Sequence, residues 1–165
     1  MNATYKQVTK TRYIAQVSAL AQEIFVEHYH KLTPKVSAAL AERYQNDELI
    51  DDEIHSGVNY FLVYLGAEAV GYFALDLSPA GAICISRLFL KQAVRGRSIG
   101  RDIITYTQKL AEGDERSRMF LQLWAKDLKA VAFCKKRGFR LAETQAMEVL
   151  PGVTLDIDTW EKLWR

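Results

Sequence analysis

The residues best placed to do chemistry are gathered in Val94-Arg95-Gly96-Arg97-Ser98-Ile99-Gly100-Arg101. An apolar stretch over 82–90 precedes them and a helical pattern follows, so the glycines stand at a strand-to-helix turn. The first turn of a helix presents backbone N–H groups that have no intrahelical acceptor, at the positive end of the macrodipole. An anion docks there. Gly96 and Gly100 let the backbone come close to it, and Lys91, Arg95, Arg97 and Arg101 add positive charge. The chemistry this suits is the binding of a phosphate or diphosphate. The other reading of the same residues is a basic surface turn. A Walker A loop needs Gly-Lys-Ser/Thr after its spacer, which this segment lacks. A dinucleotide fingerprint needs a parallel βαβ unit, whereas the strand before this loop belongs to a series of hairpins.

Other reactive groups are scattered. Cys84 and Cys134 lie in apolar, regularly patterned segments, and no CxxC or Cys/His cluster has metal-ligand spacing. The expectation is two reduced thiols in a cytoplasmic protein with no bound metal. His28 and His30 close the first helix, and an imidazole titrates near ~6.5, in the range that suits a general base. His28 also falls on the apolar face, where packing is its other use. Glu27 and His55 are rivals for the same work.

The elements that must position these groups follow from periodicity. Residues 4–9 read as a strand. From Thr11, an N-cap residue, Ile14, Val17, Leu20, Ala21, Ile24, Phe25 and His28 recur at helical spacing. Pro34 opens a second helix with Val36, Leu40 and Tyr44 on one side, and residues 47–56 add a helical turn or two. Three strands follow: Val58 to Leu65, Ala69 to Leu77, and 82–90, joined by Gly66-Ala67-Glu68 and Pro79-Ala80-Gly81. The helix after the basic loop puts Ile99, Ile103, Thr107 and Leu110 inward and ends at Gly113. Phe120 to Ala125 is a strand. Asp127 caps a helix that Gly138 ends, and strands over about 139–149 and 153–162 flank Pro151-Gly152. Tyr60, Phe61, Tyr64, Tyr72 and Phe73 alternate in paired strands, as core and cross-strand packing requires.

Bulk properties agree with one α/β domain over 1–165. With 165 residues the chain is long enough to bury a core without disulfides or metals. Its 49% hydrophobic and 25% charged residues are ordinary for a globular protein. The net charge of +2 is too small to imply a nucleic-acid or membrane partner. The first residues lack the apolar core of a signal peptide, and no apolar run approaches the ~20 residues that span a bilayer.

Two segments in register carry a family resemblance. Ile85-Ser86-Arg87-Leu88-Phe89-Leu90 with Arg95-Gly96-Arg97-Ser98-Ile99-Gly100 resembles motif A of the GNAT N-acetyltransferases, a hydrophobic strand followed by R/Q-x-x-G-x-G/A. Asp127 to Phe139 resembles motif B, N-x-x-A-x-x-x-Y-x-x-x-G-F. The order of elements matches as well, and the resemblance is most specific from 58 to 139. Three residues depart from the pattern: Ser98 stands at a glycine position, Asp127 replaces asparagine, and Cys134 replaces the tyrosine.

The resemblance implies a GNAT fold: a mixed, mostly antiparallel sheet of about seven strands with helices on both faces. It implies acetyl-CoA as co-substrate and acetyl transfer to a primary amine within a ternary complex. The acceptor would be a small-molecule amine, a polyamine or a peptide amine. The pantetheine arm would lie along Leu88, Phe89 and Leu90, and the diphosphate on the amides of Arg95, Gly96, Arg97, Ser98, Ile99, Gly100 and Arg101. Asp127 would stand near the cofactor. Cys134 would occupy the position of the proton donor, and His28 is a candidate general base. The carboxylates of Glu42, Asp47, Glu48, Asp51, Asp52 and Glu53 form either a solvated helix face or a wall that attracts a cationic acceptor. A non-catalytic acyl-CoA-binding module is the alternative function, and a monomer or homodimer the expected assembly.

Overall fold

The computed structural model describes residues 2–164. The elements run β1 (Thr4–Gln7), α1 (Thr11–His28), α2 (Pro34–Tyr44), α3 (Asp47–His55), β2 (Asn59–Leu65), β3 (Glu68–Asp76) and β4 (Ala82–Leu90). A 3₁₀ turn (Gln92–Val94), α4 (Ile99–Gly113), β5 (Arg118–Trp124), α5 (Leu128–Lys136), β6 (Arg140–Leu150) and β7 (Val153–Leu163) complete the chain. The strands form a seven-stranded sheet in the order β1-β2-β3-β4-β5-β7-β6. The pairs β1–β2, β2–β3, β5–β7 and β6–β7 are antiparallel, and β4–β5 is parallel. The chain divides into two compact units: the residues up to Leu75 with Arg87–Gly100, and Asp76–Ser86 with the residues from Arg101 onward.

In the first unit, α1 buries Ile14, Val17, Leu20, Ala21, Ile24 and Phe25, the stripe its sequence spacing predicts. Thr11 is its first helical residue, not its cap; Lys10 holds the N-cap position and makes no side-chain cap bond. Thr33 caps α2 by accepting from Val36 N at 3.3 Å, with Pro34 at the first position. The inner face of α2 is Ser37, Leu40 and Ala41, one residue on from the expected Val36–Leu40–Tyr44 line. Asn46 accepts from Leu49 N at 2.8 Å, and this cap lets 47–55 form a full helix.

Helix α4, which enters the second unit at Arg101, buries Ile99, Ile103, Ile104, Thr107 and Ala111, while Leu110 is 43% exposed. Alanine at 111 completes the inner stripe in its place. Helix α4 ends at Gly113, as its sequence predicts, but the glycine is not the left-handed residue. Glu115 takes the left-handed conformation (φ 58°), with Glu115 N bonded to Glu112 O and Arg116 N to Ala111 O. Helix α5 ends in the same motif, with Gly138 at φ 91° and the N–H of Phe139 donating to Cys134 O at 3.0 Å. Arg116 fixes the turn before β4, its Nη1 donating to the carbonyls of Leu77, Pro79 and Ala82.

Candidate functional site

The basic loop leaves β4 at Leu90 and enters α4 at Ile99. Its backbone is left-handed at Gly96 (φ 81°) and at Ser98 (φ 67°). Gly96 meets that requirement without strain. Ser98 does not, because a side chain in this region costs about 1–2 kcal/mol. Gly100 has no positive φ and sits in the first turn of α4, where the free N–H groups lie.

The cations around the loop divide by what they touch. Lys91 turns to carboxylates, 3.5 Å from Glu23 and 3.7 Å from Glu68. Arg95 donates from Nε to Leu90 O at 3.1 Å, a bond that folds its side chain back on the end of β4. Arg97 is exposed. Glu27 accepts from Gln92 N at 3.1 Å, so it anchors the start of the 3₁₀ turn.

In the second unit, Arg101 lines a hollow of about 340 Å³ with Ile104, Thr105, Gln108, Lys136, Arg137 and Lys162. No carboxylate lines it. Arg137 Nε is buried without a hydrogen-bond partner in the structure, and a buried donor of this kind calls for an acceptor. The residues that line the hollow therefore suit a phosphate-bearing ligand.

The paired register of β4 with β5 covers Ala82 to Ile85, and β4 continues to Leu90. Phe89, near that end, packs on Phe25 (centroids 4.8 Å apart), Tyr72 (5.7 Å) and, edge-on, His28 (5.2 Å). His28 is thereby brought against the strand, its ring also edge-on to Tyr29 at 4.6 Å. The other histidines are elsewhere: His30 is exposed in the turn after α1. His55 is bonded to Asp51, whose carbonyl and carboxylate raise its pKa.

Asp127 caps α5, its Oδ1 accepting from Ala130 N at 3.2 Å. Cys134 is 1% exposed, and its pKa is pushed up to about 12 by burial first and by the charge of Asp127 second. Its carbonyl accepts from Phe139 N in the motif that ends α5.

The sequence did not single out one polar cluster in the first unit. Tyr72 OH donates to Gln45 Oε1 at 2.6 Å, Gln45 Nε2 donates to Tyr60 OH at 3.1 Å, and Tyr60 OH donates to Glu53 Oε1. Arg87 Nη2 stands 3.4 Å from Glu53 Oε2. Burial raises the pKa of both tyrosines, so both hydroxyls stay protonated donors. The signal was present as a lone charge, Arg87, in the apolar run 82–90. The acidic segment is not one wall: Glu53 turns inward to Tyr60 and Arg87, Asp51 holds His55, and Asp47 and Glu48 lie in the first turn of α3. Among the described residues, no group of three or more His, Cys, Asp or Glu is placed to hold a metal. None of the described helices is long and apolar enough to cross a membrane.

The family model for the acetyltransferase (GNAT) family matches residues 18–139. The chain belongs to this family. That span runs from within α1 through α5 and ends at Phe139. Solved structures with the GNAT architecture superpose on the whole chain. The PaiA N-acetyltransferase of Thermoplasma acidophilum in complex with coenzyme A has a TM-score of 0.83 at 15% identity, covering 99% of this chain and 100% of that one. The GCN5-related N-acetyltransferase of Rhodopseudomonas palustris has a TM-score of 0.81 at 16% identity, covering 99% and 97%. A GNAT acetyltransferase of Elizabethkingia anophelis with acetyl-CoA bound has a TM-score of 0.66 at 12% identity, covering 99% of each chain. The fold is the GNAT fold, a mixed and mostly antiparallel seven-stranded sheet with helices.

Proposed function

We propose that this GNAT protein transfers an acetyl group from acetyl-CoA directly to a primary amine while both substrates are bound. The observation that carries the reading is the loop from Arg95 to Gly100. Left-handed turns at Gly96 and Ser98 lead into the free N–H groups of α4, an arrangement suited to a diphosphate. The basic hollow around Arg101, Lys136, Arg137 and Lys162 supports the same ligand class. The pantetheine arm would run along the Leu88–Leu90 part of β4, beyond the β5 pairing. A backbone N–H there would stabilise the oxyanion that develops on the thioester carbonyl.

In the reaction, the amine nitrogen attacks the thioester carbonyl carbon, the C–S bond breaks, and CoA leaves as its thiolate. The proton lost by the amine passes to His28, the histidine held against Phe89. Cys134 would serve the packing of α5. A thiol held near 12 is not ionised at neutral pH, so it is no nucleophile. It is also too weak an acid to protonate a CoA thiolate, whose conjugate acid has an ordinary thiol pKa near ~8.5. The thiolate would then take its proton from water. Holding two substrates in reacting geometry supplies most of the acceleration.

Initial rates of CoA release with a panel of amines test the reading. Intersecting double-reciprocal lines are expected. Parallel lines with an acetyl group trapped on Cys134 would replace it by a covalent route. The buried thiol at the motif B tyrosine position favours one other reading, an acyl-CoA-binding module without turnover. Acetyl-CoA binding with no CoA release on any amine would establish that reading instead.

A further inference from the structure

Strand alternation places Ile83, Ile85, Arg87 and Phe89 on one face of β4. Ile83 and Ile85 are 0% and 2% exposed, and the face opens toward solvent from Arg87 onward. A guanidinium in such a position needs a partner. Glu53 supplies it from α3, and Glu53 is itself held by Tyr60, Gln45 and Tyr72, each 0% exposed. The hydroxyls of Tyr72 and Tyr60 donate in the direction of the carboxylate, through the side-chain amide of Gln45, which also donates to Tyr44 O. Apolar residues of equal volume would hold this core at least as firmly, so stability does not account for the cluster. What it provides is a rigid Arg87–Glu53 pair with 21% and 27% of the two side-chain surfaces open. The pair lies on the face of β4 that carries Phe89 and the ring of His28.

We propose that the acceptor is an amino-acid-type amine and that Arg87 binds its carboxylate, with Glu53 attracting its ammonium group before transfer. This rests on the acetyl-transfer reading and narrows its acceptor. The planar fork of arginine matches a carboxylate. The pair carries one charge of each sign and is complementary to a zwitterion. A polyamine would meet the positive charge of Arg87, and a phosphate dianion would bring two negative charges to a single guanidinium beside the carboxylate of Glu53.

The test uses the full chain, acetyl-CoA and the twenty proteinogenic amino acids. Each amino acid is supplied as the free acid, the primary amide and the decarboxylated amine. For the preferred side chain, the free acid should exceed its amide and its amine in kcat/KM by about tenfold or more, the worth of a charge-assisted hydrogen bond. Arg87→Lys keeps the charge opposite Glu53 and loses the fork. It should raise KM for the acid about tenfold and KM for the amide several-fold less, so that the preference for acid over amide falls. Amides or decarboxylated amines matching their acids in the wild-type protein overturn the inference, whether or not the variant folds. So does an Arg87→Lys protein equally impaired with acid and amide. Either result leaves acetyl transfer standing. Absence of acetyl-CoA binding by calorimetry removes both.

Discussion

Gly71 on β3 joins the fold to the proposed arm strand. A Cβ there would lie 2.3 Å from Phe89 O, 2.7 Å from Leu90 Cδ2 and 3.0 Å from Leu90 Cα. Ordinary van der Waals contact begins at 3.4 Å, so the methyl group of Gly71→Ala falls short by about 1 Å against a backbone oxygen. A flexible side chain could turn away, but a carbonyl inside a strand takes its neighbours with it. Overpacking of this kind costs about 3 kcal/mol, which lowers Tm by roughly 6–12 °C in a domain of this size. The displaced residues are those that would hold the thioester, and a misplacement of about 1 Å costs on the order of 10²-fold in rate. Urea unfolding followed by tryptophan fluorescence measures the first quantity, and CoA release at saturating acetyl-CoA the second. A Gly71→Ala protein with wild-type stability and wild-type kcat would refute the argument. A protein that loses stability but keeps kcat would refute the link between this contact and the arm.

Ser98→Gly removes the strained side chain at φ 67°. The relief of about 1–2 kcal/mol outweighs the added freedom of the unfolded chain, about 0.5–1 kcal/mol. Scanning calorimetry should therefore show a Tm about 2–4 °C higher, and a lower Tm would mean that the hydroxyl makes a contact worth more than the strain. Cys134→Ala should keep turnover, and native Cys134 should resist alkylation at neutral pH; loss of turnover with the fold intact would place the thiol in the reaction. Its folded pKa is raised, so its contribution to stability is full below the unfolded thiol pKa near 9.0 and is lost as pH rises toward about 12. Wild-type stability should therefore fall more steeply than that of Cys134→Ala between about pH 8 and about pH 10. Parallel pH profiles would contradict the shifted thiol.

Much of this molecule was legible in its residues, for identifiable reasons. Pro34, Asp127 and Gly138 act through their own backbone or cap chemistry, and each lies at the helix end it predicts. The strand at 82–90 and the helix start at Ile99 followed from apolar runs and loop composition. The end of α4 at Gly113 was legible, but its left-handed residue was not, because the structure uses Glu115, which no propensity favours in that region. The inner faces of α2 and α4 shifted by a residue for a related reason. Small residues, Ser37 and Ala111, fit against a neighbouring surface that periodicity does not see. In the site, the phosphate loop could be read because its signal is local. The polar cluster could not, because Gln45, Glu53, Tyr60, Tyr72 and Arg87 come from five separate elements or their ends. Each of those residues has an ordinary packing or surface role in its own segment. The division of labour among cations was hidden as well: Lys91 looks like a phosphate ligand in sequence and spends its charge on Glu23 and Glu68.

The central claim is that acetyl-CoA binds at the loop leading into α4, and isothermal calorimetry of the full chain with acetyl-CoA tests it most directly when wild type is compared with Gly100→Asp. The substitution places a side chain and a negative charge in the first turn of α4 without demanding a left-handed backbone, since Gly100 has no positive φ. The account predicts saturable, one-to-one binding to wild type and an affinity lower by about tenfold or more in a variant whose circular dichroism and Tm show it folded. Equal affinity in the two proteins, or no heat of binding in either, would contradict it.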